Sequence, residues 1–266
     1  MPLAVCATPI GNLDDVTLRV LAELRAADVV LAEDTRHTRG LLARHGIEAR
    51  LLSYHEHNEA ARVAELLPRL RSGERIALVS DAGLPAISDP GARLVRAARE
   101  AGIDVTVLPG ASAVETALVT SGLAGPRYLF LGFLPRRAGE LDALWRELDG
   151  WRWPAVAFES PQRLAKTLRS LAAADPEREV AVCRELTKRF EEVATGSAAE
   201  LAERFAAPVK GEVTLVVGPA RAGDDREPAR AAVAELVAAG TPRRVAADVV
   251  ARLTDTSRND LYRTTL

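Results

Sequence analysis

"IALVSDAGLPAISDPGARL", Ile76 to Leu94, passes from an apolar run through a loop of aspartates, prolines and glycines into a helical pattern. Ile76 to Val79 is apolar at every position, as in a strand buried on both faces. Ser80 to Gly91 is rich in turn formers and carries no positive charge. A helix opened by Pro90 and closed by Gly102 follows, then a strand at Val105 to Leu108. The same alternation runs upstream. Leu3 to Ala7 reads as a strand, Val16, Val20 and Leu24 keep helical spacing, and Val29 to Ala32 reads as a strand again. A helix starts near Asn58, with Val63, Leu66, Leu67 and Leu70 on one face and Pro68 expected to end or kink it. Strand and helix in turn predict an α/β domain with a largely parallel sheet.

Downstream the pattern changes. "SAVE" at Ser112 to Glu115 reads as a capping box opening a helix that ends at Gly122. Tyr128–Phe133, Ala155–Phe158, Val180–Cys183 and Val213–Val217 read as strands. Leu141, Leu144, Trp145 and Leu148 mark a helix, and "SPQRL" places Ser160 as a cap with Pro161 at the first helical position. "SAAE" at Ser197 to Glu200 is a second capping box. Gly218 to Pro228 reads as a linker, followed by helical spacing in Val233, Leu236, Val237, Val245, Val249 and Leu253. The expected organisation is an N-terminal α/β domain over 1–111, a second α/β domain over 112–218, and a helical appendage over 228–266.

The 266 residues are 48% hydrophobic and 27% charged, the balance of a soluble globular protein. No apolar run reaches the length of a bilayer span, and Met1 to Ala7 lacks the basic start of a secretion signal. Cys6 and Cys183 each sit in an apolar run, as thiols of a reducing cytoplasm do. The net charge is −2, so contact with nucleic acid has to come from local basic patches.

Strand-following segments with unusual residues are "TPIGN" (Thr8–Asn12), "EDTRHT" (Glu33–Thr38), Ser80–Gly91 and "LPGAS" (Leu108–Ser112). In an open α/β sheet all of these lie at the carboxyl edge, where they can line one pocket. The glycine patterns of dinucleotide and P-loop sites are missing. Asp81 and Asp89 read either as paired carboxylates or, for Asp89, as a cap for the helix begun at Pro90. Gly83 beside Asp81 suits close approach of a ligand to the backbone. "EDTRHT" concentrates two carboxylates, an imidazole and an arginine. "YHEH" (Tyr54–His57) lacks a third metal ligand, and no metal is expected. "RELTKRFEE" (Arg184–Glu192) reads as a solvated edge.

In order along the chain, "TPIGNLDDVTLRVL", "AEDTRHTRGLL", "SYHEHNE", "ALVSDAGLPAISDPG", "LPGASA", "FLGFLPR", "FESPQRL", "CRELTKRFEE" and "GEVTLVV" resemble the tetrapyrrole-methylase-like superfamily. Within it they resemble the enzymes that 2′-O-methylate a cytidine of bacterial 16S rRNA. The resemblance extends to the tail "TDTSRNDLYRTTL". It implies two α/β domains with S-adenosylmethionine in the cleft between them, a homodimer, and 16S rRNA or the small ribosomal subunit as partner. It assigns Pro9, Asp81, Gly83, Leu84, Ser112, Ala113, Phe158 and Glu159 to the cofactor. Leu84 and Ala111 stand where the family has Thr and Pro, and the missing hydroxyl at Leu84 costs on the order of 1 kcal/mol.

Methyl transfer to a ribose hydroxyl needs a base, for which Asp34, His37 and Glu33 are the candidates, with Asp34 or His37 preferred. Arg36, Arg39, Arg136, Arg137, Lys188 and Arg189 are the candidate RNA contacts, together with Arg243 and Arg244 in the tail. The competing expectations are a tetrapyrrole or protein-residue methyltransferase of the same superfamily, and a non-catalytic ribosome-assembly factor. The helical tail, "EDTRHT" and "RELTKRFEE" favour the RNA enzyme, and the intact "SDAGLP" and "LPGAS" loops speak against the factor.

Overall fold

A computed structural model describes residues 2–220, 226–254 and 256–264. The chain divides into two compact units, Met1–Leu148 with Trp153–Pro219 and Asp149–Arg152 with Ala220–Leu266.

The first unit holds two sheets. The first sheet contains β1 (Leu3–Cys6), β2 (Val29–Ala32), β3 (Leu51–Ser53), β4 (Ile76–Val79) and β5 (Val105–Leu108), in the order β3-β2-β4-β1-β5. Every pairing in it is parallel. β1, β2 and β4 are buried throughout, which is why they read as unbroken apolar runs. Alternate side chains serve opposite faces. Leu3, Val5, Val29, Leu31, Ile76 and Leu78 pack with Leu66, Leu70 and Leu94 from α3 (Glu59–Arg71) and α4 (Ala92–Glu100). Ala4, Cys6, Val30, Ala32, Ala77 and Val79 pack with Val20, Leu24 and Leu42 from α1 (Leu18–Ala26) and α2 (Thr35–Arg44).

The second sheet contains β6 (Leu129–Phe133), β7 (Ala155–Glu159), β8 (Glu179–Arg184), β9 (Glu192–Ser197) and β10 (Val213–Val217), in the order β6-β7-β10-β8-β9. β6 and β7 are parallel; the other pairs are antiparallel. α5 (Ala113–Ser121) covers one face, and Ile10 from the loop after β1 joins its core with Val114, Leu118, Val156, Cys183 and Val216. Burial pushes the Cys6 and Cys183 thiols up to about 12, so both behave as small apolar side chains. Also in this unit are α6 (Ala138–Leu148), α7 (Leu164–Ala174) and α8 (Ala198–Arg204), which bury Leu141, Trp145, Leu168 and Leu201.

The second unit includes α9 (Arg226–Ala238), α10 (Arg243–Leu253) and α11 (Arg258–Thr264) around Val233, Ala246, Ala247, Val250 and Leu261. The expected linker at 218–228 falls partly outside the described residues. Among the described residues no helix is long and apolar enough to cross a membrane.

Several local expectations are corrected. α3 runs through Pro68, because the proline forfeits a single helical hydrogen bond near the end of a helix that Leu66 and Leu70 anchor on either side. α2 and β3 are additional elements, so "EDTRHT" is helical from Thr35 onward. Ser112 does not cap α5; its hydroxyl donates to the Glu115 carboxylate, whose other oxygen accepts from Tyr128 Oη at 2.6 Å. α7 starts at Leu164 rather than Pro161, since a turn closes first through Arg163 N–H donating to the Ser160 carbonyl at 2.9 Å. The capping box at Ser197 and Glu200 forms as read.

Candidate functional site

Four of the strand-end segments meet at one cavity of about 580 Å³ in the first unit. Ile10 comes from the loop after β1, Glu33 from the end of β2, Asp81 to Leu84 from the loop after β4, and Ser112 and Ala113 from the loop after β5. Phe133, Phe158 and Glu159 come from the carboxyl ends of β6 and β7. Gly211 to Thr214 complete the wall. This last segment escaped the sequence reading because β10 runs antiparallel, so its amino end shares an edge with the carboxyl ends of β7 and β8.

The first two loops are sewn together. Thr8 N–H donates to the Gly83 carbonyl at 2.8 Å and Gly83 N–H returns to the Thr8 carbonyl at 3.1 Å. Thr8 Oγ1 donates to the Ser80 carbonyl at 3.0 Å, and Ser80 Oγ donates to Gly83 at 3.1 Å. Gly83 sits at φ +79°, a conformation side chains disfavour, so its backbone reaches the cavity without strain. Pro9 lies within this knitted segment but does not line the cavity.

Gly11 makes a different contact. A Cβ there would lie 2.7 Å from Thr187 Oγ1 and 2.8 Å from the Leu186 carbonyl. Asn12 N–H donates to Thr187 Oγ1 at 3.0 Å across the same contact. Gly11→Ala is expected to lower the free energy of urea unfolding by about 1–3 kcal/mol through overpacking. An unchanged urea midpoint would mean that the contact relaxes freely.

The opening loop behaves differently from its sequence reading. Asp89 does not cap α4. The helix begins at Ala92 behind Gly91, whose N–H donates to Glu59 Oε1 at 3.0 Å. Glu59 on α3 thus anchors the residue that leads into the helix, and Asp89 lines the cavity beside Ser88 and Ile87. Positive φ at Ala86 and Ser88 makes that turn.

Among the described residues, every charged side chain lining the cavity is a carboxylate: Glu33, Asp81, Asp89, Glu159 and Glu212. Two have cationic partners, Glu159 with Arg163 and Glu212 with Lys188 at 2.7 Å. Asp81 Oδ1 accepts the Asp34 N–H at 3.1 Å. Burial, then the charges of Glu33 and Asp81, push the Asp89 carboxyl up to about 7. Burial and Asp81 likewise raise Glu33, with His55 pulling the other way.

Of the base candidates, Glu33 alone lines the cavity. Asp34 spends its carboxylate elsewhere. It accepts the Arg36 N–H at 2.8 Å as the cap of α2 and pairs with the Arg36 guanidinium at 2.7 Å. Those hydrogen bonds hold it well below the usual carboxylate range. His37 is exposed on α2. Among the basic candidates, Arg36, Arg39, Arg136, Arg137 and Arg189 are exposed; Arg36 is paired with Asp34, and Arg137 with Glu140 at 3.1 Å. Arg243 lies 4.9 Å over the Tyr262 ring, and Arg244 is exposed.

"RELTKRFEE" is a solvated edge only in part: Arg189, Phe190 and Glu191 are exposed, and the rest is half-buried or buried. Arg184 is paired with Glu192 at 2.8 Å, and Lys188 bridges Glu185 at 2.9 Å and Glu212 at 2.7 Å. Leu186 between them is buried and lines the cavity. Internal pairing of its charges lets this polar segment turn inward. Among the described residues no group of three or more His, Cys, Asp or Glu is placed to hold a metal ion.

The fold has close counterparts. Uroporphyrin-III-C-methyltransferase from Thermus thermophilus superposes with a TM-score of 0.59 at 24% identity, over 85% of this chain and 97% of that one. A cobalt precorrin-4 methyltransferase superposes with a TM-score of 0.60 at 22% identity, over 81% of this chain and 94% of that one. A further Thermus thermophilus uroporphyrin-III C-methyl transferase structure, complexed with S-adenyl homocysteine, superposes at 0.56 and 18% identity, over 81% and 96% of the two chains. Residues 2–202 match the family model of the Tetrapyrrole (Corrin/Porphyrin) Methylases. Fold and family together define a methyltransferase of the tetrapyrrole-methylase class.

A Mesorhizobium japonicum protein is 44% identical over 264 residues, 98% of this chain and 90% of its own length; its name is Ribosomal RNA small subunit methyltransferase I. Proteins of the same name from Micromonospora olivasterospora and Streptococcus pyogenes are 43% and 42% identical over 98% of this chain, covering 85% and 93% of their own lengths. The chain belongs to the ribosomal RNA small subunit methyltransferase I family.

Proposed function

We propose that the chain 2′-O-methylates a cytidine ribose in the decoding region of bacterial 16S rRNA, with S-adenosylmethionine as donor. The observation that carries the donor assignment is the cavity whose charged lining, among the described residues, is all carboxylate. When bound, S-adenosylmethionine supplies an electrophilic methyl group on a sulfonium cation. Glu33, Asp81 and Asp89 suit that charge, and a phosphate cradle would need the opposite sign. Ser112 and Ala113, at the amino end of α5, line the cavity, where helix amides suit the donor's carboxylate. Gly83, Leu84, Phe158 and Glu159 form further parts of the wall, and Pro9 stands in the chain between Thr8, bonded to Gly83, and the lining residue Ile10. Residues 1–111 and 112–218 act as the lobes on either side.

The names of the relatives support the RNA substrate. Glu33 is the base: it faces the cavity, and its raised affinity for protons suits it to accept the 2′-hydroxyl proton. Asp34, the next residue, caps α2 and fixes Arg36, and His37 lies on the first turn of that helix. Arg39, Arg136, Arg137 and Arg189 meet RNA phosphates, with Arg36 and Lys188 shaping their surroundings. The protein works in the cytoplasm as a homodimer. Val107 on edge strand β5, Val119 on α5 and Phe133 on edge strand β6 are 50%, 74% and 64% exposed, the apolar surface a second copy would cover.

The deciding experiment incubates the protein with labelled S-adenosylmethionine and small ribosomal subunits or 16S rRNA, then digests the RNA. Label in 2′-O-methylcytidine is expected. Label in no nucleotide would sink the RNA assignment, and transfer to a tetrapyrrole or protein residue would replace it.

A further inference from the structure

Glu159 ends β7 with its side chain fully buried in the cavity wall. A carboxylate in that position is costly unless fully hydrogen-bonded. Oε1 accepts the Ser160 N–H at 2.6 Å and meets Arg163 Nη2, and Oε2 accepts Thr167 Oγ1 at 2.5 Å. The same guanidinium faces the other way as well. Arg163 Nη2 donates to the Leu134 carbonyl at 3.0 Å and Nη1 to the Pro135 carbonyl at 3.4 Å.

Those carbonyls stand at a weak point of the sheet. β6 shifts register against β7 between Phe130 and Phe133, and Gly132 takes φ +65°. The irregularity aims Phe133 at the cavity rim, where its ring meets Phe158 edge-on at 5.5 Å. Leu134 N–H still reaches the Phe158 carbonyl at 3.1 Å, and the strand ends at Phe133. Past that point Arg163 takes over, holding the next carbonyls from a base fixed in the cavity wall. Arg136 and Arg137, both exposed, follow at once.

We propose that Arg163 is a positioning residue that ties the Arg136–Arg137 segment to the cavity wall through Glu159, setting the reach of an RNA contact relative to the methyl-transfer site. This rests on the reading of Arg136 and Arg137 as RNA-facing. Arginine is required because one planar fork spans a carboxylate and two carbonyls, which the single ammonium of lysine does not.

The test uses the full-length protein with Arg163→Lys and Arg163→Met. Lysine keeps a cation against Glu159 and so guards against loss of the fold; methionine removes both functions. For Arg163→Lys the KM for small ribosomal subunits is expected to rise about tenfold, the scale of one or two lost hydrogen bonds. kcat at saturating subunits and the Kd for S-adenosylmethionine should stay within about twofold, since neither depends on those carbonyls. Hydrogen exchange at the Leu134, Arg136 and Arg137 amides, Pro135 having none, should quicken in both variants. Unchanged exchange in a folded variant overturns the tie. Faster exchange with an unchanged KM overturns the link to RNA. A donor Kd that weakens in step with KM shows that Arg163 merely props the cavity wall, and overturns the proposal too. Exchange needs no RNA, so it reports on the tie even if the unaltered protein methylates none, the result that would refute the RNA reading itself.

Discussion

Glu33→Gln is expected to lower the single-turnover rate of RNA methylation by about 10²- to 10⁴-fold, the usual contribution of a general base. The substitution keeps the size of the side chain and removes its capacity to take a proton. Glu33 lines the cavity, and its carboxyl is raised by burial and by the Asp81 charge. Asp34→Asn should lose far less. Its carboxylate already serves the Arg36 N–H and guanidinium, and those bonds hold it deprotonated and weakly basic. His37→Ala should be mild as well, since His37 is exposed and does not line the cavity. The measurement is single-turnover methylation with donor saturating, so that altered donor affinity does not enter. A full rate for Glu33→Gln beside a collapsed rate for either neighbour would move the base to that neighbour.

Asp89→Asn is expected to stabilise the ligand-free protein above pH 7 and to weaken its hold on the donor. Burial and the neighbouring Glu33 and Asp81 charges raise Asp89 from 3.8 to about 7. A folded-state pKa above the unfolded value means that the native protein binds more protons between those limits. Stability from this group is then fully present near pH 4 and is lost as pH rises through about 7. A rise from 3.8 to about 7 corresponds to roughly 4 kcal/mol. Asp89 is only partly buried, and screening brings the expected gain of Asp89→Asn at pH 8 down to about 1–3 kcal/mol. At pH 4 the two proteins should unfold at the same denaturant concentration. Donor binding carries the opposite sign. The ionised carboxylate favours a sulfonium, so the native affinity should climb from pH 6 to pH 8 and the variant should show a flatter profile. Equal unfolding curves for the two proteins at pH 8 would remove Asp89 from this role. The opposed effects on stability and binding are what a strained functional group produces.

The elements that could be read from the chain share a physical cause. β1, β2 and β4 are buried on both faces, and such strands leave continuous apolar runs. β3 is short and only half-buried, and β9 reads "EVATGS" on a sheet edge, so neither leaves that signature. The same holds for the site. Asp81, Gly83, Leu84 and Ser112 follow parallel strands, where the topological rule directs attention, and Ala113, Phe158 and Glu159 came from the family resemblance. Gly211 to Thr214 precede an antiparallel strand, and no rule about carboxyl ends finds them. Leu186 lay hidden in a run of charges that pair with one another.

By itself, the sequence determined the α/β architecture and the family, and it marked the strand-end loops that meet at the cavity, because periodicity and ordered motifs are local properties of the chain. Tertiary structure alone decided which carboxylates share the cavity. Glu33 and Asp34 are neighbours in sequence, yet one faces the cavity and the other caps α2. Asp89 lines the cavity, and α4 starts behind Gly91, whose N–H is held by Glu59 from another helix. Roles of that kind depend on which distant group satisfies a hydrogen bond first, and the chain acquires that information only on folding.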